Sequence, residues 1–147
     1  MFERLSLEGF QAGLSWITIL KRREGFRAAF HGFKIDRVAK MTESDAENLM
    51  QDAGIIRNRA KILSTIKNAQ LSQQLQLSNL LWGFAPSGAN ANPGLARAVS
   101  PESEAMSKAL RKLGFGFVGP TTMHALMQAV GMLNEHQPTC FRHRQLS

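Results

Sequence analysis

The sequence holds one cysteine, which excludes an internal disulfide and any C-x-x-C metal knuckle. No stretch approaches the uninterrupted apolar length of a membrane helix, and the N-terminus lacks a basic segment followed by an apolar signal core. Membrane insertion and export are therefore disfavoured, and a reducing, cytoplasmic compartment is expected. Period-two alternation of apolar and polar residues is almost missing, which argues against a sheet. Acidic residues are scarce in one long interval: none stands between Asp52 and Glu102, whereas Arg57, Arg59, Lys61, Lys67 and Arg97 all fall there.

What is present fits one helical domain. The chain has 147 residues, 44% of them hydrophobic, with a mean hydropathy of −0.19, enough to bury a sizeable core. A net charge of +7 and a pI of about 10.3 favour a polyanionic partner, nucleic acid first. Apolar residues recur at i, i+3, i+4, i+7 in Ala46, Leu49, Met50, Ala53, in Met106, Ala109, Leu110, Leu113, and in Met123, Leu126, Met127, Val130. A fourth amphipathic segment sets Ile62, Leu63, Ile66 and Ala69 on one side and Arg59, Lys61 and Lys67 elsewhere. Thr42 with Asp45 resembles a capping box, Ser100-Pro101 opens another helix, and Ser15-Trp16-Ile17 starts one running toward Arg27. The expectation is an all-α fold of about seven helices. Residues 83–99, rich in Gly, Pro, Ala and Asn, read as a long loop inside a single domain spanning 1–147, and 141–147 as a tail.

Two groups of residues suggest chemistry. In LMQDAGIIRNRAKILSTI, a helix ending at Gly54 and another beginning near Asn58 leave backbone amides between them, with Arg57, Arg59 and Lys61 nearby. Such a hairpin resembles the helix-hairpin-helix motif and can grip one DNA backbone without reading sequence; an ordinary αα-corner with basic decoration has the same wording. Glu8 is the only charged residue from Leu5 to Leu20, and a lone carboxylate in such a run needs a partner or a task, although taken alone a surface glutamate explains it better. Trp16 is compatible with core packing and with stacking on an extruded base.

The segments LEGFQAGLSWITILKRRE, DAGIIRNRAKI, SKALRKLGFGFVGPTTMHALMQAVGMLNEH and CFRH, in this order, closely resemble the bacterial DNA-3-methyladenine glycosylase I family from Phe2 to His143. The resemblance implies an all-helical helix-hairpin-helix glycosylase that releases 3-methyladenine from double-stranded alkylated DNA, acting as a monomer. It assigns Glu8 as the catalytic, base-contacting carboxylate and Trp16 as the stacking indole. Gln11, Ala12, Gly13 and Leu14 match the loop that approaches the gap left by the extruded nucleotide. A catalytically impaired DNA-binding fragment without a complete base pocket is the alternative reading, and acceptance of 3-methylguanine is not legible.

The resemblance also implies a structural zinc, for which His136 and Cys140 are two ligands. The family's other two, a cysteine and a histidine, belong to an N-terminal segment that precedes the match to Phe2 and is not in this sequence. With it go a pocket tyrosine and a further tryptophan; this sequence contains no tyrosine. Even counting His143 as a third donor, weak or no zinc binding is expected, because a structural zinc normally takes four protein ligands. Lower stability is expected as well. Finally, Gly114 to Gly119 fits GxGxxG, with Glu135 at a spacing suited to a ribose contact, but no strand precedes it, so a tight inter-helical connection is expected instead. The seven methionines and Trp82 read as core filler.

Overall fold

A computed structural model describes residues 1–87 and 97–145, and the described residues are helical with no strand. Ten α-helices follow in order: α1 (Phe2–Gln11), α2 (Trp16–Lys21), α3 (Arg23–Ala29), α4 (Ile35–Val38), α5 (Glu43–Leu49), α6 (Arg59–Ser72), α7 (Leu77–Trp82), α8 (Pro101–Lys112), α9 (Pro120–Ala129) and α10 (Phe141–Gln145). A 3₁₀ turn, His31–Phe33, joins α3 to α4. The all-α expectation holds, but with more and shorter helices than expected. The segment expected to run from Trp16 toward Arg27 breaks at Arg22, whose φ of −107° takes it out of helical geometry. The predicted starts at Thr42 and Ser100 are both real. Thr42 Oγ1 accepts from the Asp45 amide and Asp45 accepts from the Thr42 amide, and Ser100 and Ser103 exchange the same pair of bonds ahead of Pro101 at the first helical position.

Helix α1 is the axis of the molecule. Phe2 and the run Leu5 to Phe10 are all buried, and α1 packs against α2, α6, α9 and the 3₁₀ turn. Phe10 lies between Phe26 and Phe30, with ring centroids 4.7 and 5.9 Å away, and Phe30 stacks on Phe33. Met106, Leu110, Met123, Leu126 and Met127, all buried, close the core from α8 and α9.

Some expected core positions lie outside it. Ala53 is exposed because α5 ends at Leu49, so the helical period does not reach it. Leu113 is exposed because it caps α8 instead of continuing it. Trp82 is exposed because Leu77 and Leu81 supply the buried stripe of α7, and the indole projects beside that stripe. The glycine-rich run is the expected inter-helical connection: Asn68 accepts from the Gly116 amide and donates to its carbonyl, and Gly119 caps α9 ahead of Pro120. Glu135 is committed elsewhere, to His124 at 3.2 Å, Gln128 at 2.8 Å and Arg97 at 3.4 Å. The turns from Gly83 to Ser87 and at 97–99 agree with the expected loop, of which 88–96 lie outside the described residues. Of the expected tail, Phe141–Gln145 is α10, which buries no residue.

Candidate active site

Glu8 sits in the middle of α1 with 4% of its surface exposed. Among the described residues no donor hydrogen-bonds it and no cation pairs with it. Burial pushes its carboxyl up to about 7 from an ordinary 4.5, with Arg4 one turn back pulling weakly the other way. A carboxylate held in this way is a standing electrostatic demand: its surroundings penalise the anion, so a cation delivered beside it would be bound strongly.

The chain after α1 turns sharply. Ala12 leaves helical geometry, Gly13 adopts φ +81°, and the turn is tied by Leu14 N–H donating to Gln11 O at 2.7 Å and by Gln11 Nε2 donating to Leu14 O at 2.6 Å. A side chain at position 13 would meet open space but a backbone that L-residues rarely adopt. Leu14, Ile17 and Leu20 are left exposed in a row, whereas Trp16, the first residue of α2, is half-buried against the core. Glu8 and Trp16 therefore sit on successive, mutually packed helices with the Gly13-Leu14 turn between them.

The second group lies between α5 and α6, and here the expected geometry changes. Gly54 does not use positive φ. It is required by close approach, since a Cβ on Gly25 of α3 would stand 2.3 Å from the Gly54 carbonyl oxygen. Its amide is taken by Asp52 Oδ1 at 2.7 Å, so this N–H is not available to a phosphate. The free amides are further on. Asn58 caps α6 by accepting from Lys61 N–H at 3.1 Å, while Arg59 and Ala60 in the first turn have no backbone partner, and exposed Arg57 stands just ahead of them without an ion pair. Arg59 is engaged by Glu43 and Glu47 of α5, which locks the two helices together.

Lys61 is not a surface cation. It is buried, and Nζ donates to Phe10 O at 2.8 Å and Ala12 O at 2.6 Å with the Phe117 ring 5.8 Å away; desolvation lowers its pKa. The amphipathic reading of α6 set Lys61 apart from the core because it weighed only Ile62, Leu63, Ile66 and Ala69. A signal for its true position is present: Lys61, Thr65, Asn68 and Ser72, at i, i+4, i+7 and i+11, form a buried polar stripe. Each of its side chains is satisfied by backbone.

His136 and Cys140 do come together, with Nδ1 and Sγ 3.8 Å apart. Among the described residues no group of three or more His, Cys, Asp or Glu side chains is placed to hold a metal ion, so these two donors do not complete a tetrahedral set. No catalytic step is routed through zinc.

With this geometry in place, the relatives can be considered. Residues 1–143 match the family model described as methyladenine glycosylase. The chain is 44% identical to DNA-3-methyladenine glycosylase 1 of Escherichia coli (strain K12) and 43% identical to DNA-3-methyladenine glycosylase of Haemophilus influenzae, in each case over 95% of this chain and 80% of the relative. A crystal structure of 3-methyladenine DNA glycosylase I superposes with a TM-score of 0.89 at 42% identity, covering 95% of this chain and 82% of the other. That of the Staphylococcus aureus 3-methyladenine DNA glycosylase I, a study of 3-methyladenine recognition, superposes at 0.87 with 31% identity over 95% of this chain and 79% of the other. Sequence and fold thus agree over nearly the whole chain, which belongs to the methyladenine glycosylase family.

Proposed function

We propose that this chain is a DNA-3-methyladenine glycosylase that hydrolyses the N-glycosidic bond of 3-methyladenine in alkylated double-stranded DNA. The observation that carries the proposal is Glu8, a buried carboxylate with no internal partner in a family whose curated relatives are named for this activity. Methylation at N3 makes the adenine of the nucleotide cationic, and its departure as a neutral base needs no strong general acid. Glu8, as the anion, accepts a hydrogen bond from the cationic base and favours the positive charge that develops on the sugar. The bond from the anomeric carbon to the base breaks with its electron pair going to the base. A water oxygen then bonds to that carbon and loses a proton to solvent.

The other assignments follow from placement. Trp16, half-buried beside the turn, offers an aromatic face to the extruded base. Gly13 brings backbone close to the duplex and exposed Leu14 wedges into the gap. The hairpin between α5 and α6 holds the DNA backbone through Arg57 and the free amides opening the 14-residue helix α6, a helix-hairpin-helix grip that carries no sequence information. The test is chromatographic. Methylated duplex DNA incubated with the protein is expected to release free 3-methyladenine; salt-sensitive DNA binding without release would identify an impaired binding module instead.

A further inference from the structure

The buried ammonium of Lys61 links two parts of the site that the proposed function treats separately. It rises from the first turn of α6, the helix whose N-terminus faces the DNA backbone, and ends on the carbonyls of Phe10 and Ala12, where α1 stops and the Gly13-Leu14 turn begins. The carbonyls in the last turn of a helix lack intrahelical donors, and a cation there also meets the negative end of the helix dipole. A lysine is expensive to bury, and this one has no carboxylate partner; two carbonyl oxygens and the Phe117 ring face are its compensation. Ile62 on the next position of α6 already fills the core, so packing does not demand a cation at position 61.

We propose that Lys61 is a positioning residue for the wedge: it fixes the end of α1 on α6, so that the hairpin's hold on the DNA backbone sets where Leu14 meets the base stack. The proposal rests on the glycosylase reading above. It replaces the expectation that Lys61 contacts phosphate, and it gives each role a distinct signature. A phosphate contact would show in DNA affinity and its salt dependence; a positioning role shows in the rate after binding.

Lys61→Met keeps the length of the chain and removes the ammonium. In single-turnover excision from methylated duplex with enzyme in excess, the variant is expected to be slowed at least about tenfold, with DNA affinity within about threefold of wild type. Binding of the free base 3-methyladenine is expected to stay within about twofold, because Glu8 and Trp16 are not touched. Adding Leu14→Ala to Lys61→Met is expected to cost little more, since both remove the same wedge. Hydrogen exchange at the Leu14 amide, bonded to Gln11 O, should accelerate even in the absence of DNA. Lys61→Gln, which retains a neutral donor, should fall between wild type and Lys61→Met. Unchanged excision, equal loss of excision and free-base binding, multiplicative effects with Leu14→Ala, or an unaltered Leu14 amide would each overturn the proposal. Failure of both variants to fold would overturn it too, by assigning Lys61 to the core. A wild-type protein that releases no 3-methyladenine would count against the glycosylase reading, while Leu14 amide exchange would still judge the link between Lys61 and the turn.

Discussion

Replacing Glu8 with Gln should make the protein more stable, and the pH at which it does so is fixed by the site. The carboxyl is pushed from an ordinary 4.5 up to about 7 because the anion is buried without a partner. At about 1.4 kcal/mol per tenfold, keeping Glu8 ionised in the folded state costs about 2–3 kcal/mol, a ceiling since solvent reaching the carboxyl would lower it. The sign follows from proton binding. Between about 4.5 and 7 the folded state holds a proton that the unfolded state has released, so stability contributed at Glu8 falls as pH rises through that window and levels off above it. Glu8→Gln has no proton to lose. In thermal unfolding its melting temperature should match wild type near pH 4 and exceed it at pH 8 by about 5–10 °C, using roughly 3 °C per kcal/mol for a domain of this size. Equal melting temperatures at both pH values would refute the reasoning, as would a variant less stable at pH 8, because either result means the carboxylate already has a compensating partner. A stabilising substitution at the residue the chemistry needs is the expected mark of a site retained for activity.

The same titration governs catalysis: kcat/KM should rise about tenfold per pH unit below about 7 and flatten above it, and a profile flat from pH 5 to 8 would remove Glu8 from the free enzyme's ionisation. Trp16→Ala should slow excision by about 10- to 100-fold, the worth of one base–aromatic stack, with duplex affinity preserved; equal losses in both would mean that the indole serves the core alone. Arg57→Ala should weaken binding to any duplex and lower the slope of log K against log salt by about 1. Arg59→Ala should change that slope less, because Glu43 and Glu47 already engage its guanidinium; the reverse order would contradict the placement of the hairpin.

Local signals written in the sequence translated well into structure. The capping pairs at Thr42 and Ser100, the proline-led start of α8 and the absence of alternation all act within a few residues and need no tertiary information. Features decided by distant contacts did not. Gly54 attracted notice as a residue free to adopt positive φ, yet it is there because Gly25, far away in the chain, touches its carbonyl. Arg59 counted as free charge within an interval lacking acids, but its partners Glu43 and Glu47 lie just before that interval, one helix back. Lys61 looked like part of a basic face because lysine is rarely buried; only its spacing with Thr65, Asn68 and Ser72 pointed inward. Glu8 was legible as an anomaly, a single charge in an uncharged run, and its burial is what turns that anomaly into a site.

The central claim is that an unpartnered anion at position 8 holds the cationic base. Single-turnover release of 3-methyladenine from methylated duplex by Glu8→Gln, measured beside wild type at pH 8, tests it most directly. The account predicts a rate lowered by about 10²–10³ in a variant that is folded and binds DNA as wild type does. Release at the wild-type rate would contradict it.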